Sequence, residues 1–399
     1  MNEKLIVKNF GPIKDAELEL KKVTVFIGPQ GSGKSTLAKS VAICKDSEFL
    51  VWSYIGDGSH TARFFEKFEV QYFAQNLKFE FENSDYRFNY RNNPFRFNIK
   101  IEKPIPRHFF IGENPILPDF ESYKDLISEK PFGDSDLIPL KKYFSSVAKN
   151  HVIYIPTDRL MLSSVSDSLL SLLSADISLK KSFIDFGKDF ETARKNLSSL
   201  RIDFLDIQYF YQNGLNLVIH QESGTQLPLS ASSSGQQSVV PLQLVVEHFF
   251  SKLNATIIVE EPELNLFPDS QKQLIGSLVC KTLQGGKGDN ELLMTTHSPY
   301  VLTALNNLIF AYQVAQVLPE RAEDIAQIIP REQWLNPDDV AAYYVGEDEN
   351  GVKGGVHSIF NKKTGLIGQN ELDEISEELG DEFDSLMNIY RTRKRETVN

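Results

Sequence analysis

Residues 28–36 read GPQGSGKST, a loop of the form G-x-x-x-x-G-K-[ST]; it follows the apolar run Val23, Thr24, Val25, Phe26 and Ile27 and precedes the helix-forming stretch 37–41. A strand that breaks into such a loop and resumes as a helix can fold in few ways. Gly28, Gly31 and Gly33 let the backbone curl so that its N–H groups converge on one point, which makes an anion cradle. The N-terminus of the following helix adds partial positive charge at the same place. Lys34 can reach the outer phosphates of a nucleoside triphosphate, and the Ser35 hydroxyl can ligate Mg²⁺. The expectation is an α/β chain that binds ATP or a similar triphosphate through Gly28, Pro29, Gln30, Gly31, Ser32, Gly33, Lys34, Ser35 and Thr36.

The length of 399 residues suits one large α/β domain with insertions, or two domains. No stretch of about 18 apolar residues is present, so no membrane partner is expected. The N-terminus has no long apolar core of the kind that targets secretion. Two cysteines, Cys44 and Cys280, cannot build a disulfide framework, which fits a reducing cytoplasm. The formal charge of −12 counts against a protein that coats nucleic acid. Local basic patches still leave room for it.

Short strands are expected at 5–10, 16–20 and 23–27, with a turn at Gly11 and Pro12, and a helix at 34–44. Over 62–111 aromatic residues (Tyr72, Phe73, Phe79, Phe81, Tyr86, Phe88, Tyr90, Phe95, Phe97) lie among Arg87, Arg91, Arg96 and Lys100, with period-2 alternation that indicates an antiparallel β insertion. Such interleaving can bind single-stranded nucleic acid. The simpler reading, which the alternation favours, is a half-buried sheet with one solvated face. Residues 112–150 read as a loop with Pro115, Pro118 and Pro131, then a helix through Lys141, Lys142 and Tyr143. A buried strand at 151–155 ends at Pro156, a Leu- and Ser-rich helical lobe spans 160–200, and more strand lies within 203–219. An acidic amphipathic helix is expected at 371–390, followed by the basic end RTRKR at 391–395, which reads as a solvated terminus.

Three further motifs carry chemistry. Residues 255–261 read ATIIVEE, an apolar strand that delivers two carboxylates where an open α/β sheet places its ligands. Glu260 is assigned to the Mg²⁺ shell opposite Ser35, and Glu261 to polarising the attacking water as general base. Residues 291–297 read ELLMTTH, another apolar strand, and place His297 where it can reach a γ-phosphate or that water. Residues 231–238, ASSSGQQS, put small hydroxyl residues and a glycine before a helical run, a second anion-accepting N-terminus.

In this order, GPQGSGKST, SSSGQQ, IIVEEPELNLFP and TTHSPYVL resemble the ATP-binding cassette class of P-loop ATPases, and within it the branch of SMC and OLD heads, often labelled AAA family ATPases. The resemblance covers residues 1 to about 310 and implies a P-loop NTPase fold. It makes the first three motifs Walker A, signature loop and Walker B, residues 263–267 the D-loop and His297 the H-switch. It implies a head-to-head dimer or higher homo-oligomer in which Ser233, Ser234, Gly235 and Gln236 close over ATP held by the other subunit. Ser234 stands where the class usually has a second glycine, and Glu260 replaces the usual Asp, as is common in OLD-like members. Residues 155–159 are the candidate Q-loop, so Asp158 and Arg159 join the site candidates, as do Asn9 and Phe10 for base or phosphate contacts.

On this reading an ATPase domain spans 1–310, with the β insertion at 62–111 and the helical lobe at 160–200, and 311–399 is an α-rich extension. The extension shows no acidic constellation of the TOPRIM nuclease kind, and no long coiled coil interrupts the chain. What remains looks like the stand-alone ATPase subunits of bacterial anti-phage systems, of the PtuA and AriA type. There a Mg-dependent ATPase controls a separately encoded nuclease or toxin. The alternatives are a RecF-like DNA-repair ATPase, a transporter nucleotide-binding subunit, which the β insertion and the EEPE sequence argue against, and a nucleotide-locked scaffold or antitoxin with little turnover.

Overall fold

The computed structural model describes residues 3–72, 76–90, 97–102, 138–147, 151–165, 179–252, 254–285, 289–347, 351–368 and 380–387. Its centre is an eleven-stranded mixed sheet. The first strands, β1 (Glu3–Phe10) and β2 (Ile13–Leu20), form a hairpin in which Leu5, Val7, Ala16 and Leu18 are buried, while Lys4 and Lys8 pair across the outer face with Glu17 and Asp15. β3 (Val23–Ile27) is buried along its whole length and feeds α1 (Lys34–Lys45). Two helices follow, each started by an aspartate that accepts backbone N–H groups: Asp46 caps α2 (Ser47–Ile55) and Asp57 caps α3 (Gly58–Lys67).

The aromatic stretch forms β4 (Lys78–Glu82), β5 (Tyr86–Tyr90) and β6 (Phe97–Ile101), an antiparallel set joined to β1. The β reading of 62–111 therefore holds for 78–90 and 97–101 but not at its start. Residues 62–67 belong to α3, where Phe64 and Phe65 pack inward with the helix period. Residues 91–96 and 103–111, with Arg91, Phe95 and Arg96, lie outside the described residues, as do Phe73 and the proline-rich stretch 112–137. Phe79, Phe88 and Phe97 are buried against Phe49 and Phe65, and Phe81 and Tyr86 are buried beside Phe88. The faces of these five strand residues are spent on the core, so they offer no stacking platform.

The helix expected through Lys141 is α4 (Ile138–Val147), and β7 (His151–Ile155) is the strand expected there. Within the proposed helical lobe, α5 (Lys181–Asn196) is helical, residues 166–178 lie outside the described residues, and the last residues enter β8 (Ser199–Ile202). β8 starts a separate four-stranded sheet with β9 (Ile207–Gln212), β10 (Leu215–His220) and β11 (Gln226–Pro228), which delivers the chain to α6 (Ser234–Lys252). β12 (Ala255–Glu260), α7 (Pro268–Gln284), β13 (Glu291–Thr296) and α8 (Pro299–Val317) then alternate, with Pro268 and Pro299 in the first helical turn, where a missing N–H is harmless. The short α9 (Ala322–Ile328) follows.

The α-rich expectation for the tail does not hold for what comes next. β14 (Val340–Glu347) and β15 (Lys353–Ser358) enter the middle of the main sheet, and β16 (Phe360–Asn361) pairs with β17 (Leu366–Ile367) beside it. The sheet order is β6-β5-β4-β1-β2-β15-β14-β3-β13-β12-β7, so the late strands fill the seam between β2 and β3. Val340 to Val345 are buried, and that burial outweighs the polar residues that flank them. Residues 371–379 and 388–399, including the basic end, lie outside the described residues; 380–387 are helical.

β14, β3, β13, β12 and β7 run parallel. Alternation along them serves two layers: Val23, Val25, Ile257, Val259, Leu292 and Met294 face the core under α5–α8, whereas Phe26, Ile258, Leu293 and Tyr343 face the core under α1–α4. No helix among the described residues is long and apolar enough to cross a membrane.

Candidate functional site

Strand register assembles the site. Thr296 pairs with Ile27, Glu260 with Thr295, Val259 with Ile155, and Tyr344 with Ile27. The next residues, Gly28, Glu261, His297, Pro156 and Val345, therefore emerge side by side at one edge, the carboxyl ends of the parallel strands. Strand parity puts Glu260 on the same face as Ile258, toward α1.

The glycine-rich loop keeps the conformation the motif requires. Gly28 has φ 151°, and a Cβ there would lie 2.0 Å from the Val345 carbonyl oxygen, so β14 closes against the loop. At the other end Gly33 begins α1 with no side-chain cap and no acidic residue in the first turn, which leaves that N-terminus for an anion. Lys34 is buried; its ammonium donates to the carbonyls of Gly28 (2.9 Å) and Pro29 (2.8 Å). Burial lowers its pKa to about 8, against the pull of Glu261, Glu263 and Glu260. Ser35 is exposed on the first turn, while Thr36 is buried under the loop. Pro29, Gln30 and Gly31 form the exposed crest.

His297 connects the two halves of this edge. Its Nδ1 lies 3.5 Å from Lys34 Nζ and its Nε2 lies 3.4 Å from Glu261 Oε1. Lysine has only protons to give, so the first contact needs Nδ1 as acceptor and puts the ring proton on Nε2, toward Glu261. Glu261 sits at φ 44°, a left-handed conformation that costs a non-glycine residue about 1–2 kcal/mol. It is held there by its own N–H donating to the Thr295 carbonyl (2.9 Å).

A further carboxylate completes the arrangement. Glu263 Oε1 accepts from Thr296 Oγ1 (2.7 Å) and from the His297 backbone N–H (3.0 Å), which fixes the loop that presents the imidazole. Burial raises the Glu263 pKa, and those two donors oppose the rise. The motif reading placed Glu263 only in the D-loop. The signal for its role was a third acid two residues after Glu261, facing a strand that ends in two threonines.

The other candidates divide. Arg159 is wholly buried in a 3-10 turn after β7 and donates to the carbonyls of Glu260 and Glu261 at the end of β12. Asp158 turns away to pair with Lys180. Phe10 has no exposed surface; its ring is enclosed by Phe65, Tyr72 and Phe79, so it is a core residue and not a base contact. Asn9, with φ 55°, donates its amide to the Asn76 carbonyl and ties the end of β1 to the segment before β4. The signature residues are only partly on the surface: Ser233 and Ser234 are exposed, Gly235 and Gln236 buried. Ser233 and Gln236 cap the helix reciprocally, each backbone N–H donating to the other's side chain at 3.3 Å. A Cβ on Gly235 would meet the Asn265 carbonyl at 2.9 Å, so the signature turn rests against the D-loop of its own chain.

These residues fit Mg²⁺ and a triphosphate. Glu260 Oε1 and Ser32 Oγ are buried with no hydrogen-bond partner among the described residues, and a side chain built on Gly31 would meet nothing. Ser35 and Glu260 would hold the metal, which when bound neutralises phosphate charge. The loop amides and Lys34 would hold the phosphates.

Residues 23–303, well over half of the chain, match the family described as "AAA domain, putative AbiEii toxin, Type IV TA system". The chain belongs to that family. No curated protein matches it in sequence. Solved structures that resemble it include the SMC head domain from Thermotoga maritima, at 11% identity and a TM-score of 0.38, covering 90% of this chain and 98% of that one. An SMC head bound to the C-terminal winged-helix domain of ScpA gives 11% and 0.42, covering 91% and 98%. One with an extended coiled coil, bound to the C-terminal domain of ScpA derived from Pyrococcus furiosus, gives 12% and 0.42, covering 95% and 99%.

Proposed function

We propose that the protein is a Mg-dependent ATPase whose nucleotide cycle closes and opens a pair of its own copies. The observation that carries this is the line from Lys34 through His297 to Glu261 at the end of the parallel strands. Glu261 is a carboxylate at the solvent edge, placed to take a proton from water. His297 keeps its Nε2 proton toward that carboxylate and holds it beside Lys34, which meets the phosphates. Ser233 and Ser234, exposed beside the D-loop, are free to meet ATP on a second copy.

The cycle, on this reading, controls a separately encoded effector, a nuclease or toxin, in bacterial anti-phage defence of the PtuA or AriA kind. The family description, with its toxin–antitoxin wording, supports a defence setting. The same wording favours a second reading, in which this chain is itself the toxic component. The buried aromatics of β4–β6 weigh against single-strand binding by base stacking, whereas the RecF-like alternative calls for ATP-dependent duplex binding.

The test is Glu261→Gln, which should cut hydrolysis by about 10²–10⁴-fold while ATP binding survives. With Mg-ATP the variant should run as a closed dimer in size-exclusion chromatography and, from its native host, carry a nuclease or toxin identifiable by mass spectrometry. Unchanged turnover removes Glu261 as base. Growth arrest on expressing the chain alone selects the toxin reading.

A further inference from the structure

Arg159 is fully buried and has no carboxylate within ion-pair distance among the described residues. Its guanidinium is spread over three pieces of chain. Nε donates to Ser238 Oγ (3.1 Å), Nη1 to the carbonyls of Pro156 (3.1 Å) and Glu260 (2.6 Å), and Nη2 to the carbonyl of Glu261 (2.5 Å). Of these four acceptors, two are the backbone of the metal and base candidates, one is the nearby Pro156 carbonyl, and one is a side chain on α6, two residues beyond the signature residues.

α6 itself is weakened near its start. Pro241 lies inside it and has no N–H, so the Gln237 carbonyl loses its helical partner and the helix is one bond weaker between its first two turns and the rest. Residues 234–240 are tied down instead by side chains: Ser163 Oγ donates to Gln237 Oε1, the Gln237 amide donates to the Ser232 carbonyl, and Arg159 holds Ser238. Glu261 at φ 44° depends on outside bonds to keep its conformation, and the Arg159 contact is one of them.

We infer that Arg159 is a positioning residue that couples the first turns of α6 to the Glu261 carboxylate. The inference rests on the ATPase-pair reading above. When residues 233–236 engage ATP on a second copy, Ser238 is fixed, and Arg159 transmits that placement to the Glu260 and Glu261 carbonyls. Each active site is then completed by the occupancy of the other, and ATP hydrolysis is cooperative in ATP. Arginine is required because its planar fork spans separate acceptors, which a lysine ammonium on a flexible stem does not reproduce.

The experiment uses the full chain and compares wild type, Ser238→Ala and Arg159→Lys by steady-state ATP hydrolysis, ATP binding and thermal unfolding. Ser238→Ala deletes one oxygen from the clamp and leaves the Arg159 contacts to Glu260 and Glu261 in place. It should lower kcat by roughly tenfold and abolish cooperativity, with ATP affinity and Tm nearly unchanged. Arg159→Lys should lower kcat further, again with little change in KM. Unchanged kcat and cooperativity in Ser238→Ala overturn the coupling. So does a parallel fall of kcat, ATP affinity and Tm, which marks a purely structural bond. A wild type that does not hydrolyse ATP overturns the ATPase-pair reading and the coupling with it, whereas a cooperative wild type matched by Ser238→Ala overturns the coupling alone.

Discussion

α1 carries a buried lysine at each end, and the two are treated in opposite ways. Lys45, in its last turn, sits between the carboxylates of Glu3 and Glu291, and Glu291 also accepts from Thr256 Oγ1. Burial alone would discharge Lys45, but Glu291 and Glu3 outweigh it and hold its pKa above the usual lysine range. Lys34, in the first turn, has no carboxylate within ion-pair distance among the described residues; it leans on two carbonyls and is pushed down to about 8. One cation is neutralised within the fold. The other is left short of negative charge, and a triphosphate is what would supply it.

This contrast can be broken in several ways. The largest effect should come from Lys45→Met, which removes the cation shared by two partly buried carboxylates. It should lose about 3–5 kcal/mol of stability in urea unfolding, with ATP affinity of the folded fraction intact. If ATP affinity falls as well, the lower network is not purely structural. Lys34→Met should do the reverse. It should weaken ATP binding by roughly 10- to 100-fold, the scale of lost charge-assisted hydrogen bonds, and leave stability unchanged or slightly raised because a buried charge is relieved.

A subtler effect sharpens the same comparison. A bound triphosphate raises the Lys34 pKa above its free value of about 8, so protons are taken up on binding wherever the pH lies between the two. ATP affinity should therefore hold below about pH 8 and fall as pH rises through it, by up to about tenfold per unit. Calorimetry near pH 9 in buffers of different ionisation enthalpy should show that uptake; its absence would mean that Lys34 binds no phosphate. The smallest effect belongs to the solvated face of β5. Arg87→Ala removes an exposed pair with Glu102, should cost under about 1 kcal/mol, and should leave single-stranded nucleic-acid affinity unchanged. A clear loss of that affinity would return β4–β6 to a binding role.

The placement of the candidate residues was legible because each motif is local: the glycine loop, the paired acids after an apolar strand and the histidine after the next strand lie together at one end of the parallel strands. What stayed hidden depends on partners far along the chain. Nothing near Phe10 indicates that it meets Phe65 and Phe79 and not a base, and nothing around Arg159 indicates that it lies under Glu261. α3 was misread because the paired aromatics Phe64 and Phe65 open a stretch of otherwise period-2 pattern, whereas the decisive signal was Asp57, a helix cap. β14 is apolar enough to be a strand, but its neighbour β3 is some three hundred residues earlier, and sequence spacing carries no trace of that pairing.

The placement of β14 has a consequence for synthesis. When the ribosome has made the chain through His297, every motif exists, yet the seam between β2 and β3 is still open and the strand that abuts Gly28 has not been translated. The candidate site is thus written first and completed last. A nascent chain, or a product cut short near residue 310, exposes two unpaired sheet edges and lacks the backing of its phosphate loop. The strand that abuts the glycine loop arrives only with residues 340–347, more than three hundred residues after the loop itself.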